Sequence, residues 1–171
     1  MSLFQRIFGD SSARAAWAPL YHALVARGRD PFWYRHGGVP DTLDGRFDMV
    51  AAMVALALIR LEGEGEAGRT PIALLTETFV EDMDATLRQI GIGDYVVGKH
   101  VGRMMGALGG RLAAFRTARN DGSWREAVRR NIFHDAPPSD EALAAVTSRL
   151  REFAAALEGA SLEALREGAL Q

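Results

Sequence analysis

The stretch Phe47–Leu61, FDMVAAMVALALIRL, decides the fold because eleven consecutive residues in it, Met49–Ile59, are apolar. A helix that spans a membrane needs about 20 apolar residues, so this run is too short to cross a bilayer. It is apolar on most faces of a helix, which is typical of a helix that is buried on all sides. We therefore predict that Phe47–Leu61 forms the central helix of a bundle.

The composition limits the class of protein and of cofactor. A chain of 171 residues with 48% hydrophobic content can bury one core, so we expect a single domain. The net charge of −2 argues against a broad basic face for nucleic acid, and no nucleic-acid partner is expected. The absence of cysteine excludes disulfides, iron–sulfur clusters, thiolate zinc sites and covalently attached haem.

Helical patterns continue on both sides of the central helix. Apolar residues recur every three or four positions, and no segment alternates as a strand does. One such stripe ends at Ile90. The glycines of residues 63–68 predict a flexible surface loop before the helix that carries this stripe. The predicted helix starts are Ser11 or Ser12, Thr70-Pro71, Asp94, a capping box of Ser123 with Glu126, Ser139 and Ser161. The sequence thus predicts an all-α, single-domain helical bundle of about six to eight helices.

Three segments are expected along the chain. Residues 1–12 form a short amphipathic segment that folds back onto the body, with a membrane surface as the alternative. Residues 13–136 form the core helical domain, and residues 137–171 form a C-terminal helical extension packed on that core. The apolar face of the N-terminal segment is formed by Leu3, Phe4, Ile7 and Phe8.

The segment Phe32–Phe47, FWYRHGGVPDTLDGRF, leads into the central helix and is rich in residues that order a backbone. Gly37-Gly38 permits conformations that other residues avoid, and Pro40 fixes its own dihedral angle. Asp41-Thr42 and Asp44-Gly45 supply side-chain oxygens that can cap the helix that follows. We predict a rigid, shaped loop.

No constellation of residues predicts catalysis or a metal centre. None of the four histidines completes the Glu-x-x-His pairs of a di-iron bundle. His100 and Met104 lie one helical turn apart, so they approach a haem from the same side and cannot both be axial ligands. Serine elbows and phosphate-binding loops are missing too. We expect no catalytic residue, no cofactor and no metal, and we expect Asp84 and Arg88 to form a surface ion pair.

Glycines recur at every fourth position from residue 98 to residue 110. Each glycine costs a helix about 1 kcal/mol relative to alanine, so the row needs a reason. The favoured interpretation is close packing against another helix of this chain, and the alternative is a docking groove for a partner's helix. The residues beside the row predict a locally basic face: Lys99, His100, Arg103 and Arg111.

Two blocks of the sequence resemble the ubiquinol–cytochrome c chaperone family. The first is F-W-Y…G-V-P-D-T-x-D-G-R-F in Phe32–Phe47, and the second is Phe79–Asp94, FVEDMDATLRQIGIGD. Gly110-Arg111-x-x-Ala114-Phe115 and Arg130–Phe133 are weaker matches. The resemblance covers roughly residues 17–135, and the sequence from Pro137 onward resembles nothing in the family. Departures are the absence of a histidine after the G-R-F-x-M turn, and Gly109 and Phe115 in place of the usual tyrosines.

The resemblance implies a non-enzymatic assembly chaperone for the cytochrome bc complex, respiratory complex III. Its expected partner is cytochrome b or an early bc-complex intermediate, and relatives in the family work with a small partner protein. Whether this chain needs such a partner, and its oligomeric state, stay open. The chain is similar to a bacterial, cytoplasmic version of the family, with peripheral contact at the inner face of the cytoplasmic membrane as a further expectation.

We predict that the client surface lies between the Phe32–Phe47 loop and the Gly98 helix. Asp41 and Asp44 are expected to order the loop and Arg46 to anchor it to Asp82 or Asp84, while three residues, Tyr34, Val39 and Pro40, present contact area. A purely structural role is the alternative for each residue. The predicted client-binding residues are Tyr34, Val39, Pro40, Asp41, Thr42, Gly45, Arg46, Phe47, Asp82, Asp84, Arg88, Gly93, Asp94, Lys99 and Arg103.

The alternative function is a helical small-molecule-binding or enzymatic domain that uses the 32–47 loop as a pocket wall. That alternative predicts an enclosed cavity with convergent polar groups. The chaperone interpretation predicts an open groove or an exposed apolar patch.

Overall fold

The computed structural model describes residues 3–91, 93–134 and 137–170, of which residues 3–11, 94 and 95 are described by their backbone alone. Every regular element in these ranges is a helix, which confirms the all-α prediction. A single-turn 3₁₀ helix (Gly65–Gly68) precedes α4, and a π-helix (Arg129–Phe133) follows α6. The α-helices are α1 (Leu3–Gly28), α2 (Pro31–Arg35), α3 (Leu43–Glu62), α4 (Arg69–Gln89), α5 (Asp94–Asp121), α6 (Trp124–Val128), α7 (Asp140–Gly159) and α8 (Leu162–Arg166).

The central helix is α3, as predicted, and it begins at Leu43, one turn before the predicted start at Phe47. All residues from Asp48 to Ile59 are buried, because α1, α4, α5 and α7 each pack against α3. A helix surrounded in this way has no polar face to give to water, which explains its continuous hydrophobicity. Among the described residues, no helix is both long and apolar enough to cross a membrane.

Three of the predicted capping residues perform that role. Thr42 caps α3, where its Oγ1 accepts a hydrogen bond of 3.1 Å from Gly45 N. Ser139 caps α7 and Ser161 caps α8 in the same way, each by accepting from the backbone N–H three residues later. Asp44 does not cap, because it already lies in the first turn of α3.

Two other predicted helix starts are wrong, and at Ser123, where α6 does begin as predicted, the capping box does not form. Ser11 and Ser12 lie inside α1, which is continuous from Leu3, and the side chains of the predicted apolar face at residues 3–8 lie outside the described residues. Thr70 lies inside α4, because the 3₁₀ turn leads directly into that helix and replaces the predicted flexible loop. Ser123 makes no side-chain capping bond, since Glu126 pairs with Arg129 instead.

The loop before α3 contains the short helix α2, which the sequence analysis missed. Asp30 caps α2 by accepting from Phe32 N at 2.8 Å. The buried Trp33 donates its indole N–H to the Arg27 carbonyl at 2.6 Å, so the loop is tied back to the end of α1. Arg149 of α7 pairs with Asp30 at 2.8 Å and stacks its guanidinium over the Phe32 ring. These contacts make the loop a fixed part of the bundle.

Gly45 is required by a close backbone approach at the start of α3. A Cβ atom at this position would lie 2.0 Å from the carbonyl oxygen of Pro40. At Gly102, in contrast, an added Cβ meets no heavy atom within 4 Å. The two glycines therefore have opposite structural roles, although both belong to helices.

We expect Gly45→Ala to lower the free energy of unfolding by about 1–3 kcal/mol, because the added methyl forces the loop away from α3. Gly102→Ala is the matched control and is expected to raise stability by up to about 1 kcal/mol, since it improves helix propensity in open space. Urea unfolding followed by circular dichroism measures both. A Gly45→Ala protein as stable as the native chain would contradict this account of the loop.

Candidate functional site

Two adjoining clefts lie between the first turns of α3, the end of α4 and the N-terminal half of α5. Phe47 and Met104 line both clefts, so the clefts form one surface, which we name the α3–α5 groove. The apolar cavity has a volume of about 210 Å³ and is lined by Arg29, Leu43, Arg46, Phe47, Val50, Met83, Thr86, Leu87 and Met104. The polar cleft has a volume of about 410 Å³ and is lined by Asp44, Phe47, Asp48, His100, Arg103, Met104, Ala107 and His134.

Three large apolar side chains in the described part of the chain are exposed, and one of them, Leu43, lines the groove, whereas Ile90 and Val96 line neither cleft. Leu43, at the start of α3, is 46% exposed and lines the apolar cavity. Ile90, just after α4, is 52% exposed, so the prediction that it points inward is wrong: α4 ends before the stripe reaches it. Val96, in the first turn of α5, is 42% exposed. The exposed Leu43 therefore makes one edge of the groove apolar at the surface.

A buried ion pair lies beneath the groove. Arg111 of α5 donates from Nη2 to Asp48 Oδ1 and to the carbonyl of Asn131, the latter at 2.7 Å. Its Nη1 donates to the Ala107 carbonyl at 3.1 Å, while its Nε is the buried side-chain nitrogen without a hydrogen-bond partner among the described residues. The same guanidinium lies 5.7 Å from the centroid of the Phe47 ring. The pair thus connects α3, α5 and the π-helix, and it contacts the aromatic ring that both clefts share.

His134 completes the network at the wall of the polar cleft. Its Nε2 lies 2.8 Å from Asp48 Oδ2, and its side chain is 53% exposed. The residue follows the π-helix with φ of 47°, a left-handed conformation that costs energy for any residue except glycine. The contact with Asp48 is what holds the side chain in the groove.

Burial opposes ionisation of both partners in this pair. It raises the pKa of the Asp48 carboxyl above its usual range, against the opposing effects of Arg111 and His134. It lowers the pKa of the Arg111 guanidinium, against the attraction of Asp48. The charge attraction therefore only partly offsets the cost of removing the two ions from water. We infer that the pair fixes the geometry of the helices more than it adds stability.

The predicted loop residues are divided between the core and the groove. Val39 is buried, so the prediction that it presents contact area is wrong. Tyr34 is half-buried and donates its hydroxyl to the Gly28 carbonyl at 2.8 Å, while Pro40 is exposed. Asp41 pairs with Arg46 at 2.6 Å, and the Arg46 guanidinium holds the pKa of the Asp41 carboxyl below its usual range.

The predicted anchor of Arg46 on α4 is wrong, because each acid has another partner. Asp82 accepts a hydrogen bond of 2.6 Å from the Tyr21 hydroxyl. Asp84 pairs with Arg88 at 2.6 Å, which confirms the predicted surface ion pair. Arg46 nonetheless lines the apolar cavity together with Phe47, so these two predicted residues do come together.

The α5 predictions have mixed outcomes. Gly93 precedes the first residue of α5, and the side chain of Asp94 lies outside the described residues. Lys99 and Arg103 are exposed, and Arg103 lies against His100 at the rim of the polar cleft. Arg111 does not belong to the basic face, because it is buried. The favoured interpretation of the glycine row is wrong: a Cβ at any of its four positions meets nothing within 4 Å, so no described helix packs closely there.

The Asp48–Arg111–His134 network was not predicted from the sequence. One signal for Arg111 was available, because it lies three residues after Leu108 and four before Phe115, a spacing that puts all three on one face of a helix. A charged residue on an inward stripe needs a buried partner. Asp48, directly before the apolar run of α3, was the acid in position to supply it. No sequence signal identified His134.

We expect Asp48→Asn to lower the free energy of unfolding by about 3–5 kcal/mol, because it leaves the Arg111 charge buried without a counter-charge. Asp84→Asn, which breaks an exposed pair, is the control and is expected to cost less than about 1 kcal/mol. Urea titration gives both values.

A double variant, Asp48→Leu with Arg111→Met, removes both charges together and is expected to recover most of the loss. If Asp48→Asn were no more harmful than Asp84→Asn, the buried pair would not organise the bundle.

A solved structure has the same architecture as this chain. The crystal structure of the Cbp3 homolog from Brucella abortus superposes with a TM-score of 0.80 at 29% sequence identity, over 99% of this chain and 96% of that one. No protein with a curated description matches the chain. The model of the Ubiquinol-cytochrome C chaperone family matches residues 35–171. That match includes residues 137–171, so the prediction that the resemblance stops before Pro137 is wrong. The chain belongs to the Ubiquinol-cytochrome C chaperone family.

Proposed function

We propose that this chain is a non-enzymatic chaperone in the assembly of respiratory complex III, and that it captures cytochrome b or an early bc-complex intermediate in the α3–α5 groove. Membership of the chaperone family supports the class of activity. The observation that carries the site is the open groove with Leu43 at its rim, since exposed large apolar side chains commonly mark protein-binding surfaces.

The lining of the groove suits a client built of apolar helices. Met83 and Met104 line the cavity, and methionine side chains adapt to contacts of different shape. Phe47 offers aromatic contact area between the two clefts. Such a surface can cover an apolar segment of the client without requiring one exact shape. An assembly chaperone needs this adaptability.

The C-terminal extension has a supporting role in this proposal. Helix α7 packs on α3 and α6, and its Arg149 holds the loop through Asp30 and Phe32. We infer that residues 137–171 complete the core and keep the start of α3 in place. Because the client is a membrane protein, we place the chain on the cytoplasmic side, in peripheral contact with the inner face of the cytoplasmic membrane.

Client capture is expected to fail when the apolar rim becomes charged. Tagged protein is isolated from membranes of respiring source cells in mild detergent and scored for cytochrome b with an antibody. We expect Leu43→Glu to reduce the recovered cytochrome b at least about tenfold, because a carboxylate in an apolar interface must lose its water without a partner.

The control is Ala144→Glu, which adds the same charge at an exposed position of α7 and is expected to leave capture unchanged. Both variants replace exposed side chains, so circular dichroism is expected to show the native fold. Recovery of no bc-complex subunit by the native chain would contradict the proposed function, and equal recovery by Leu43→Glu would contradict the site.

A further inference from the structure

The apolar cavity has the dimensions of a pocket for one large side chain. A cavity of about 150 Å³ in a protein core is enough to hold a benzene ring. The cavity between Phe47, Met83, Leu87 and Met104 has about 210 Å³ and opens at Leu43. An aromatic or leucine side chain from a partner therefore fits, and insertion of such an anchor is the usual centre of a protein interface.

The charged lining residues of this cavity are both cations. Arg46 is already paired with Asp41, whereas Arg29 is exposed and has no acid within ion-pair distance in the described residues. Arg29 also borders a neighbouring cleft that contains Glu81 and Asp82. These acids are engaged elsewhere, Glu81 by Arg14 and Asp82 by Tyr21, so Arg29 is available to a partner.

The far side of the groove is also positive. Helix α5 has no acidic residue between Tyr95 and Asn120. Its exposed Arg103 lines the polar cleft and has no acid within ion-pair distance in the part of the chain that the structure describes, while the exposed Lys99 lines neither cleft. Asp44 is the exposed acid of the polar cleft, and it lies in the first turn of α3, where the helix dipole favours a negative charge. A basic partner segment would meet repulsion from both sides of the apolar cavity.

The partner segment must satisfy its own backbone hydrogen bonds. Every regular element in the described residues is a helix, so the groove has no strand edge to which an extended peptide could bind. A helix carries its hydrogen bonds internally and presents side chains three or four residues apart on one face. A bulky residue and an acid at that spacing can reach the cavity and Arg29 together.

We propose that the apolar cavity is an anchor pocket for a helical client segment in which a bulky apolar residue lies one turn from a carboxylate, with Arg29 as the partner of that carboxylate. This inference rests on the proposed function, because it specifies which kind of client segment the groove selects. Met104 and Phe47 enclose the anchor, and Arg29 fixes the direction of the helix along the groove.

Two designed peptides test this specificity directly. Both are capped, alanine-rich helices of about 16 residues with one phenylalanine and a terminal fluorophore. One carries glutamates four residues to either side of the phenylalanine, and the other carries lysines there. By fluorescence anisotropy at low salt, we expect the native chain to bind the acidic peptide at least about tenfold more tightly. Equal binding of the two peptides would overturn the proposal.

Variants separate the two parts of the pocket. We expect Arg29→Gln to weaken binding of the acidic peptide severalfold and Arg29→Glu to weaken it more, while Arg151→Glu, at an exposed arginine of α7, leaves it unchanged. Met104→Trp fills the cavity and is expected to reduce binding of both peptides. Melting temperatures near the native value show that each variant is folded. Unchanged binding in both Arg29 variants would overturn the proposal.

A membrane is the competing source of negative charge. Vesicles with about 30% phosphatidylglycerol are offered to the native chain and to Arg29→Glu in a flotation assay. Loss of vesicle binding in Arg29→Glu, with no preference between the peptides, would assign the surface to lipid and overturn the proposal.

The outcome for cytochrome b separates this inference from the proposed function. If Arg29→Glu still captured cytochrome b, the proposed function would be supported and the proposed anchor pocket would be contradicted. If the native chain bound the acidic peptide selectively but captured no bc-complex subunit, the anchor pocket would be supported and the proposed function would be contradicted.

Discussion

The pair formed by Asp48 and Arg111 places two opposite charges among the apolar side chains of the bundle, where both are almost entirely buried while the helices stay packed. Asp48 begins the continuously buried part of α3, and Arg111 lies about two-thirds of the way along α5, so the pair fixes the position and rotation of one helix relative to the other. An apolar contact tolerates small shifts, but a buried charge with a single counter-charge does not. The groove lies between these two helices, so its shape depends on how they are aligned.

The constraint extends from the pair to the surface. The Arg111 guanidinium also binds the Asn131 carbonyl and contacts the Phe47 ring, and Asp48 holds His134. The π-helix widens the turn that brings Asn131 to this position. The base, one wall and the central aromatic ring of the groove are therefore set by the same few hydrogen bonds. The loop before α3 is fixed separately, through Arg149 of α7.

Periodicity in the sequence was sufficient to predict the helices whose faces are clearly apolar. The inward residues of α7 and the central position of α3 follow from hydrophobic spacing alone. Ser139, a residue type that commonly caps helices, marks the start of α7. Helix starts failed where a helix continued through a serine, because serine favours a cap but does not impose one. The buried Val39 and the exposed Ile90 show the same limit: burial at a loop or a helix end depends on tertiary packing, which local spacing does not contain.

The candidate site was predictable in outline and not in its chemistry. Residues 43–47 of the predicted loop and α5 do border one groove, and Arg46, Phe47 and Arg103 lie along it, in the region between the loop and the Gly98 helix where the hypothesis placed the client surface. The partners of the charges were not predictable. Arg46 forms its ion pair with Asp41, which is only five residues away, and not with Asp82 or Asp84 of α4, as had been predicted. The glycine row of α5 faces open space, because an added Cβ meets nothing within 4 Å at any of its four positions. Close packing within the chain had been predicted there because each glycine costs a helix about 1 kcal/mol, and a tight helix contact would have explained that cost.

The central claim is that a nascent subunit of complex III lies in the α3–α5 groove, and photo-crosslinking in cells tests it most directly. A photoreactive phenylalanine analogue replaces Thr86, which lines the apolar cavity, or Ala144 on the exposed face of α7. Adducts are identified by mass spectrometry. The account predicts an adduct with cytochrome b from position 86 and none from position 144. Adducts with cytochrome b from position 144 alone, or from neither position in cells that assemble complex III, would contradict it.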